Sequence, residues 1–326
     1  MSQMAERKLA RSFGWIVSAL VVGAGLTACG GGGGGGGPVA LNAPPSSPAS
    51  PSSGTTAPIV LPANPVTPDD PALAPAPGSE PMPSLSDPQP GSTAAVSQGN
   101  DGVGYGPDLD GHTLLAFVGP TNDLIANGGP NWIWGGLVAD GGNWKLTPET
   151  VGTDDDSALT PVAGTSLITS KSGMTNSFTF GNGASRHYFL DYGRENALAV
   201  DASSMAGTWL ADDSEGLGIT LTVDAQGMAT GTTQGSLIGV CSLSGSITQR
   251  EPGTQKNQFA VNLQAVNAAT GDQLACGLSN KPYAGVAVIS LKAAGKYDAN
   301  GYYRVLAMLV NTADYAWIKQ VLKRQR

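Results

Sequence analysis

The chain is poor in charge, in histidine and in long periodic helices. Of 326 residues, 17 are Lys or Arg, 25 are Asp or Glu and two are His. So acidic a composition excludes the broad basic surface that holds nucleic acid, and it disfavours an anionic membrane face as well. No nucleic-acid partner is expected. Catalytic signatures are equally scarce: no Gly-x-Ser-x-Gly elbow, Ser-x-x-Lys, His-Glu-x-x-His or Walker loop occurs, and the glycine run after Cys29 opens no helix. Ser185, Arg186 and His187 with Asp154, Asp155 and Asp156 could be drawn as a triad, but adjacent strand residues point to opposite faces. His187 is therefore read as an ordinary strand residue. Asp108-x-Asp110-Gly111 begins like a calcium loop, yet Val118 and Gly119 stand where the bidentate Glu is required. Both acidic clusters read as solvated turns, and no catalytic residue, metal or cofactor is expected.

What is present begins with an address. Arg7, Lys8 and Arg11 outweigh Glu6, and an apolar run from Phe13 to Leu26 follows, short and ending in small residues as a removable secretory signal does. The run ends in Leu26-Thr27-Ala28-Cys29, which resembles the lipobox of bacterial lipoproteins. The resemblance implies cleavage before Cys29, lipid on its sulfur and amino group, and hence a protein anchored to the membrane through its N-terminus and not spanning it. Gly30, where inner-membrane-retained members carry Asp, implies the outer membrane. Loss of residues 1–28 would leave 14 basic against 24 acidic residues. With Cys29 assigned to the lipid, Cys241 and Cys276 remain as an even pair in an oxidising compartment, and a disulfide between them is expected.

Residues 29–110 read as a disordered tether. Eight glycines run from Gly30 to Gly37, and 16 of the 23 prolines lie between Pro38 and Pro90, so the segment has almost nothing to bury against its ordering entropy. Lys145 is the first basic residue after Arg11.

The folded part is expected to begin near Gly111 and to be all-β and antiparallel, in short apolar or alternating runs cut by Gly, Asn and Asp. Residues 111–204 form an N-terminal β region with strands Thr113 to Val118, Asn131 to Val138, Trp144 to Leu146, Ser166 to Ser170, Ser177 to Phe180 and Arg186 to Leu190. Thr147 to Gly164 reads as a long loop. Residues 205–326 carry eight strands in sequence, beginning Gly207 to Ala211 and Leu217 to Val223 and ending Tyr303 to Val310 and Tyr315 to Leu322. The last could instead be a short basic helix. Asp224-Ala225-Gln226-Gly227 reads as a hairpin loop with Gly at a positive-φ position. An even number of sequential antiparallel strands can close and remove its edges, so an eight-stranded up-and-down barrel is the expected architecture. The basic cluster Lys319, Lys323, Arg324 and Arg326 reads as a solvated tail.

Gly207-Thr208-Trp209, Thr222 to Gly227, Thr230-Gly231, Cys241 to Gly245, Asn257, Cys276 and Gly285-Val286-Ala287 resemble the C-terminal half of uncharacterised proteobacterial surface lipoproteins. These residues are structural, so the resemblance implies a fold and no activity. In architecture alone, a lipidated cysteine, a glycine run and a β-barrel are similar to the host-factor-binding lipoproteins of Neisseria. Trp132 and Trp134 share one face of their strand; such pairs are more often core, but they are the possible binding face for a sugar or a protein. Two function classes follow: a tethered, non-catalytic module binding an unknown protein or glycan, or a periplasm-facing structural or assembly factor of the envelope.

Overall fold

A computed structural model describes residues 74–97, 101–107, 113–128, 131–154, 158–211, 218–236, 238–278, 280–312 and 317–325. The proposed signal peptide, Cys29, His112, Asp108 to Gly111, and Asp155 and Asp156 lie outside the described residues.

The chain forms two closed antiparallel barrels. In the first, strands β1 (Gly102–Pro107), β2 (Thr113–Val118), β3 (Asp123–Gly128), β4 (Asn131–Asp140), β5 (Asn143–Leu146), β6 (Val151–Thr153), β7 (Thr160–Thr169), β8 (Gly173–Phe180) and β9 (Ser185–Tyr192) make one sheet in the order β3-β2-β1-β9-β8-β7-β5-β4. Pairing of β3 with β4 closes that ring of eight, and β6 bridges β4 and β7. The second barrel runs in strict chain order through β10 (Gly207–Ala211), β11 (Gly218–Val223), β12 (Met228–Gln234), β13 (Cys241–Gln249), β14 (Phe259–Asn267), β15 (Pro282–Ala293), β16 (Tyr302–Asn311) and β17 (Trp317–Arg324). This is the up-and-down barrel expected from the sequence. Its interior is filled by Trp209, Leu221, Phe259, Leu306, Leu322 and their neighbours, not by solvent. The hairpin between β11 and β12 also has the expected chemistry: Gly227 has φ +81°, and the Asp224 carboxylate accepts from Gln226 N at 2.9 Å and Met228 N at 2.8 Å. Cys241 and Cys276 are disulfide-bonded across a separation of 35 residues. By loop entropy that bond contributes on the order of 3 to 4 kcal/mol.

The first barrel was only partly visible in the sequence. Strands β1, β3 and β6 were not expected, and the stretch read as a long loop, Thr147 to Gly164, contains β6 and the start of β7. β1 reads Gly-Val-Gly-Tyr-Gly-Pro, a poor strand former by propensity, but a Cβ on Gly106 would lie 1.7 Å from the Phe189 carbonyl oxygen. Glycine is there because the backbone of β9 passes too close for any side chain. The tether also ends earlier than expected. Besides β1, residues 74–97 belong to the folded body, carrying a single-turn helix, α1 (Thr93–Val96), capped by Ser92. Composition concealed this, because the segment is held by backbone and polar contacts to residues far away in sequence.

Where the barrels meet, strands are buried on both faces. Leu114, Ala116, Val118, Leu124, Ala126 and Ile133 fill the first barrel, while the alternate residues Leu115, Phe117, Ile125 and Trp132 point out of it. These outward side chains, with Val103, pack on Val286, Val288, Ala307 and Leu309, whose strand neighbours Ala287, Ile289, Leu306, Met308 and Val310 face the second barrel's interior. Polar contacts surround this layer. Arg250 forks onto Asp123 at 2.7 and 2.8 Å, and Lys256 reaches Asp101 at 2.9 Å. Burial works against the Asp123 carboxylate, but its bonds to Arg250 and Thr121 win and hold its pKa below the usual value.

Two asparagines act as single-residue strand partners. Asn196, in the connection between barrels, accepts from Val103 N at 2.9 Å and donates to Val103 O at 2.8 Å. Asn257 does the same for Ile289, at 2.8 and 2.7 Å. Beside them the Glu195 carboxylate accepts from Ser290 Oγ at 2.9 Å and also meets Tyr105. Burial raises the Glu195 pKa, and burial together with that charge pushes the Tyr105 hydroxyl well above its ordinary value.

Trp132 is 6 % exposed and locks this interface. Trp132→Ala is expected to cost about 3 to 5 kcal/mol and to uncouple the barrels, so that urea denaturation followed by tryptophan fluorescence shows two transitions where the wild type shows one. Glu195 gives a pH signature. A carboxyl whose folded pKa lies above its unfolded value favours the fold at low pH, and that contribution is lost as pH rises through the folded pKa. Glu195→Gln is therefore expected to raise the melting temperature at neutral pH, with the gain vanishing below the ordinary glutamate range.

Candidate anion-binding groove

The expected site residues disperse. Trp132 and Trp134 are not an exposed platform: Trp132 is buried and Trp134 half-buried against the second barrel. The apolar outer face of β15 and β16 covers the same side of β4 that carries them. His187 is exposed on β9, Arg186 beside it binds Asp154 at 2.8 Å, and Ser185 bonds Thr179 at 3.1 Å. No triad forms from these residues. Among the described residues no group of three His, Cys, Asp or Glu side chains is placed to hold a metal ion.

A cavity of about 770 Å³ lies instead at one end of the second barrel. Four elements build it. Lys292 sits at the end of β15, opposite Tyr303 of β16, and Leu291 is opposite Arg304. β17 brings Lys323 beside Val305 of β16 and Arg324 beside Trp209 of β10. The strap 74–97 supplies the fourth wall. Glu80 pairs with Tyr302 through both backbone groups, at 2.9 and 2.8 Å, where β17 has already turned away to β10. Asn300 Nδ2 donates to Ala74 O at 2.9 Å, and Ser79 Oγ donates to Asn300 O at 2.8 Å.

The lining is cationic. Lys292, Arg304, Lys323 and Arg324 line it, the arginines in register with the inner face of the barrel wall and the lysines with the outer, and the one carboxylate of the lining is Glu80, in a chain where acidic residues outnumber basic ones. Glu80 accepts from Arg304 Nε at 2.6 Å and from Nη2 at 3.0 Å, the two-point fork that a guanidinium makes with a planar oxyanion. Arg324 lies 5.7 Å from the Trp209 ring centroid and donates to Ala206 O at 2.5 Å. Neither Lys292 nor Lys323 forms an ion pair among the described residues. Tyr302 donates to Asp298 at 2.5 Å, and that bond, helped by burial, raises its pKa. This arrangement can hold a multiply charged oxyanion.

Lys323 and Arg324 are exposed, as the solvated reading expects, but they lie in the strand that closes the barrel and not in a tail. The sequence held a signal for the groove. Aligning the last two hairpins places Lys292 next to Tyr303 and Lys323 next to Val305, but Arg304 and Glu80, 224 residues apart, could not have been paired that way.

Replacing Glu80 by Gln removes the charge and keeps the shape. Because the pair is partly exposed, the expected loss of global stability is at most about 1 kcal/mol. The amides of Glu80 and Tyr302 should nevertheless exchange hydrogen measurably faster, since the strap loses its side-chain anchor. Comparison of the chain with protein-family models, with curated proteins and with solved structures finds no match.

Proposed function

We propose that this protein is a non-catalytic binding module of the outer membrane, held there by lipid on Cys29. The observation that carries the reading is the cationic groove: a preformed cavity of ligand size, about 770 Å³, whose lining offers charge and aromatic edge but no assembled nucleophile and base. It sits on a scaffold that favours binding, because two closed barrels sharing a buried layer present their loops on rigid walls. The lipobox-like Leu26 to Cys29 and the glycine and proline that follow supply the anchor and the distance. A periplasm-facing role in envelope assembly would use the same groove from the other side of the membrane.

Membrane residence on this reading rests on acyl chains alone. Cys29→Ser is expected to move the protein from the membrane fraction to the soluble periplasmic fraction, and a variant that still sediments with membranes after a high-salt wash would refute the anchor. Protease shaving of intact cells then separates display from the periplasmic role: surface display predicts loss of the folded body, and the assembly role predicts its protection.

A further inference from the structure

We infer that the groove binds the phosphate groups of lipid headgroups in the membrane that carries the anchor, so that the folded body docks with this end of its second barrel toward the bilayer. The inference deepens the binding reading above and rests on it.

The position of the strap is the first observation. The described chain enters at Ala74, whose carbonyl is held by Asn300, and Glu80 six residues later is a wall of the groove. Only 45 residues separate Cys29 from Ala74, at most about 160 Å of fully extended chain. The described chain thus joins the body at the same end as the cations. An anchor at Cys29 holds that end within reach of the headgroups.

Charge is the second. An acidic body is repelled by an anionic surface in every orientation except one that presents a concentrated positive patch, and a cleft focuses that field. Lys292 and Lys323 on the outer face, with Arg304 and Arg324 on the inner, give the rim at this end of the barrel such a patch. Each carries a donor set suited to phosphate: the lysines as point charges, the arginines as forks. Arg304 already holds a carboxylate, that of Glu80, which shows the geometry of oxyanion capture in place. Lys292 and Lys323 stand on either side of β16, at positions opposite Tyr303 and Val305, without a counter-ion among the described residues. Arg304 is answered by Glu80 and by the charge of Asp201, whereas phosphate groups spread over a surface would answer the two lysines.

The test uses the chain from residue 29 onward with Cys29→Ser, so that binding does not depend on the lipid and a failed anchor is read separately, in the fractionation experiment. Vesicles of phosphatidylglycerol in phosphatidylcholine are compared with phosphatidylcholine alone by sedimentation at low and high salt. Salt-sensitive binding to the anionic vesicles is expected. Each surface cation contributes on the order of fivefold, so Lys292→Gln with Lys323→Gln should weaken the binding about twenty-fivefold. Lys171→Gln, at the exposed turn between β7 and β8 of the other barrel, should leave it unchanged. Thermal melting of the double variant checks that the barrel persists; should it fail to fold, Lys323→Gln alone carries the test with a fivefold loss. No binding to the anionic vesicles, equal binding to both vesicles, an unaffected double variant, or displacement by stoichiometric inorganic phosphate, which would mark a site for free phosphate, overturns the proposal.

Discussion

Everything else in this structure depends on a layer of apolar side chains that belongs to neither barrel alone. Residues of β2, β3 and β4 alternate between the inside of the first barrel and the outside face that meets β15 and β16, which alternate in the same manner from the other side. A closed barrel ordinarily needs one apolar face per strand, and a second one left in water would be a large exposed patch. Satisfying both faces fuses the two barrels into one body. It also fixes their rotation, because the surrounding contacts Asp123 to Arg250, Asp101 to Lys256 and Gln258 to the Val118 carbonyl cross from one barrel to the other.

That double burial explains which strands could be read from the sequence. β11 alternates Ile219, Leu221 and Val223 with Thr220 and Thr222, and the alternation marks both the strand and the side that faces the core. In β16 the run Val305 to Val310 is apolar without interruption, so the strand is evident but the reason for its second apolar face is not. The covering partner lies in the other barrel. Period-two reasoning placed Trp132 and Trp134 on a common face correctly and could not supply what packs against it. β1 escaped for the opposite reason: its glycines weaken every propensity signal, and the demand for them comes from the backbone of β9, some 85 residues away in sequence.

The groove was less legible still. Its cations come from three strands, and its one anion from a segment whose proline and small residues read as tether. The C-terminal basic residues read as a tail because the closing strand is expected to end at Leu322, whereas β17 runs on to Arg324. Closure of the barrel turns an ordinary basic terminus into one wall of a cavity. Disulfide pairing was more accessible, since it followed from counting cysteines once Cys29 was set aside.

The strap has a consequence for the order in which the molecule completes itself. Glu80 and its neighbours leave the ribosome among the first residues of the body, yet their partners Tyr302 and Arg304 belong to the penultimate strand and Asn300 to the turn before it. The first barrel can close while the second is still being made, because its strands span only residues 102–192. The Glu80 end of the strap cannot seat until β16 exists, and loop closure across 224 residues is entropically demanding. A nascent or truncated chain lacking the last two strands would carry a free N-terminal arm, whereas the finished one has it clasped. The same few hydrogen bonds that wall the groove therefore also record that synthesis and folding have reached the end.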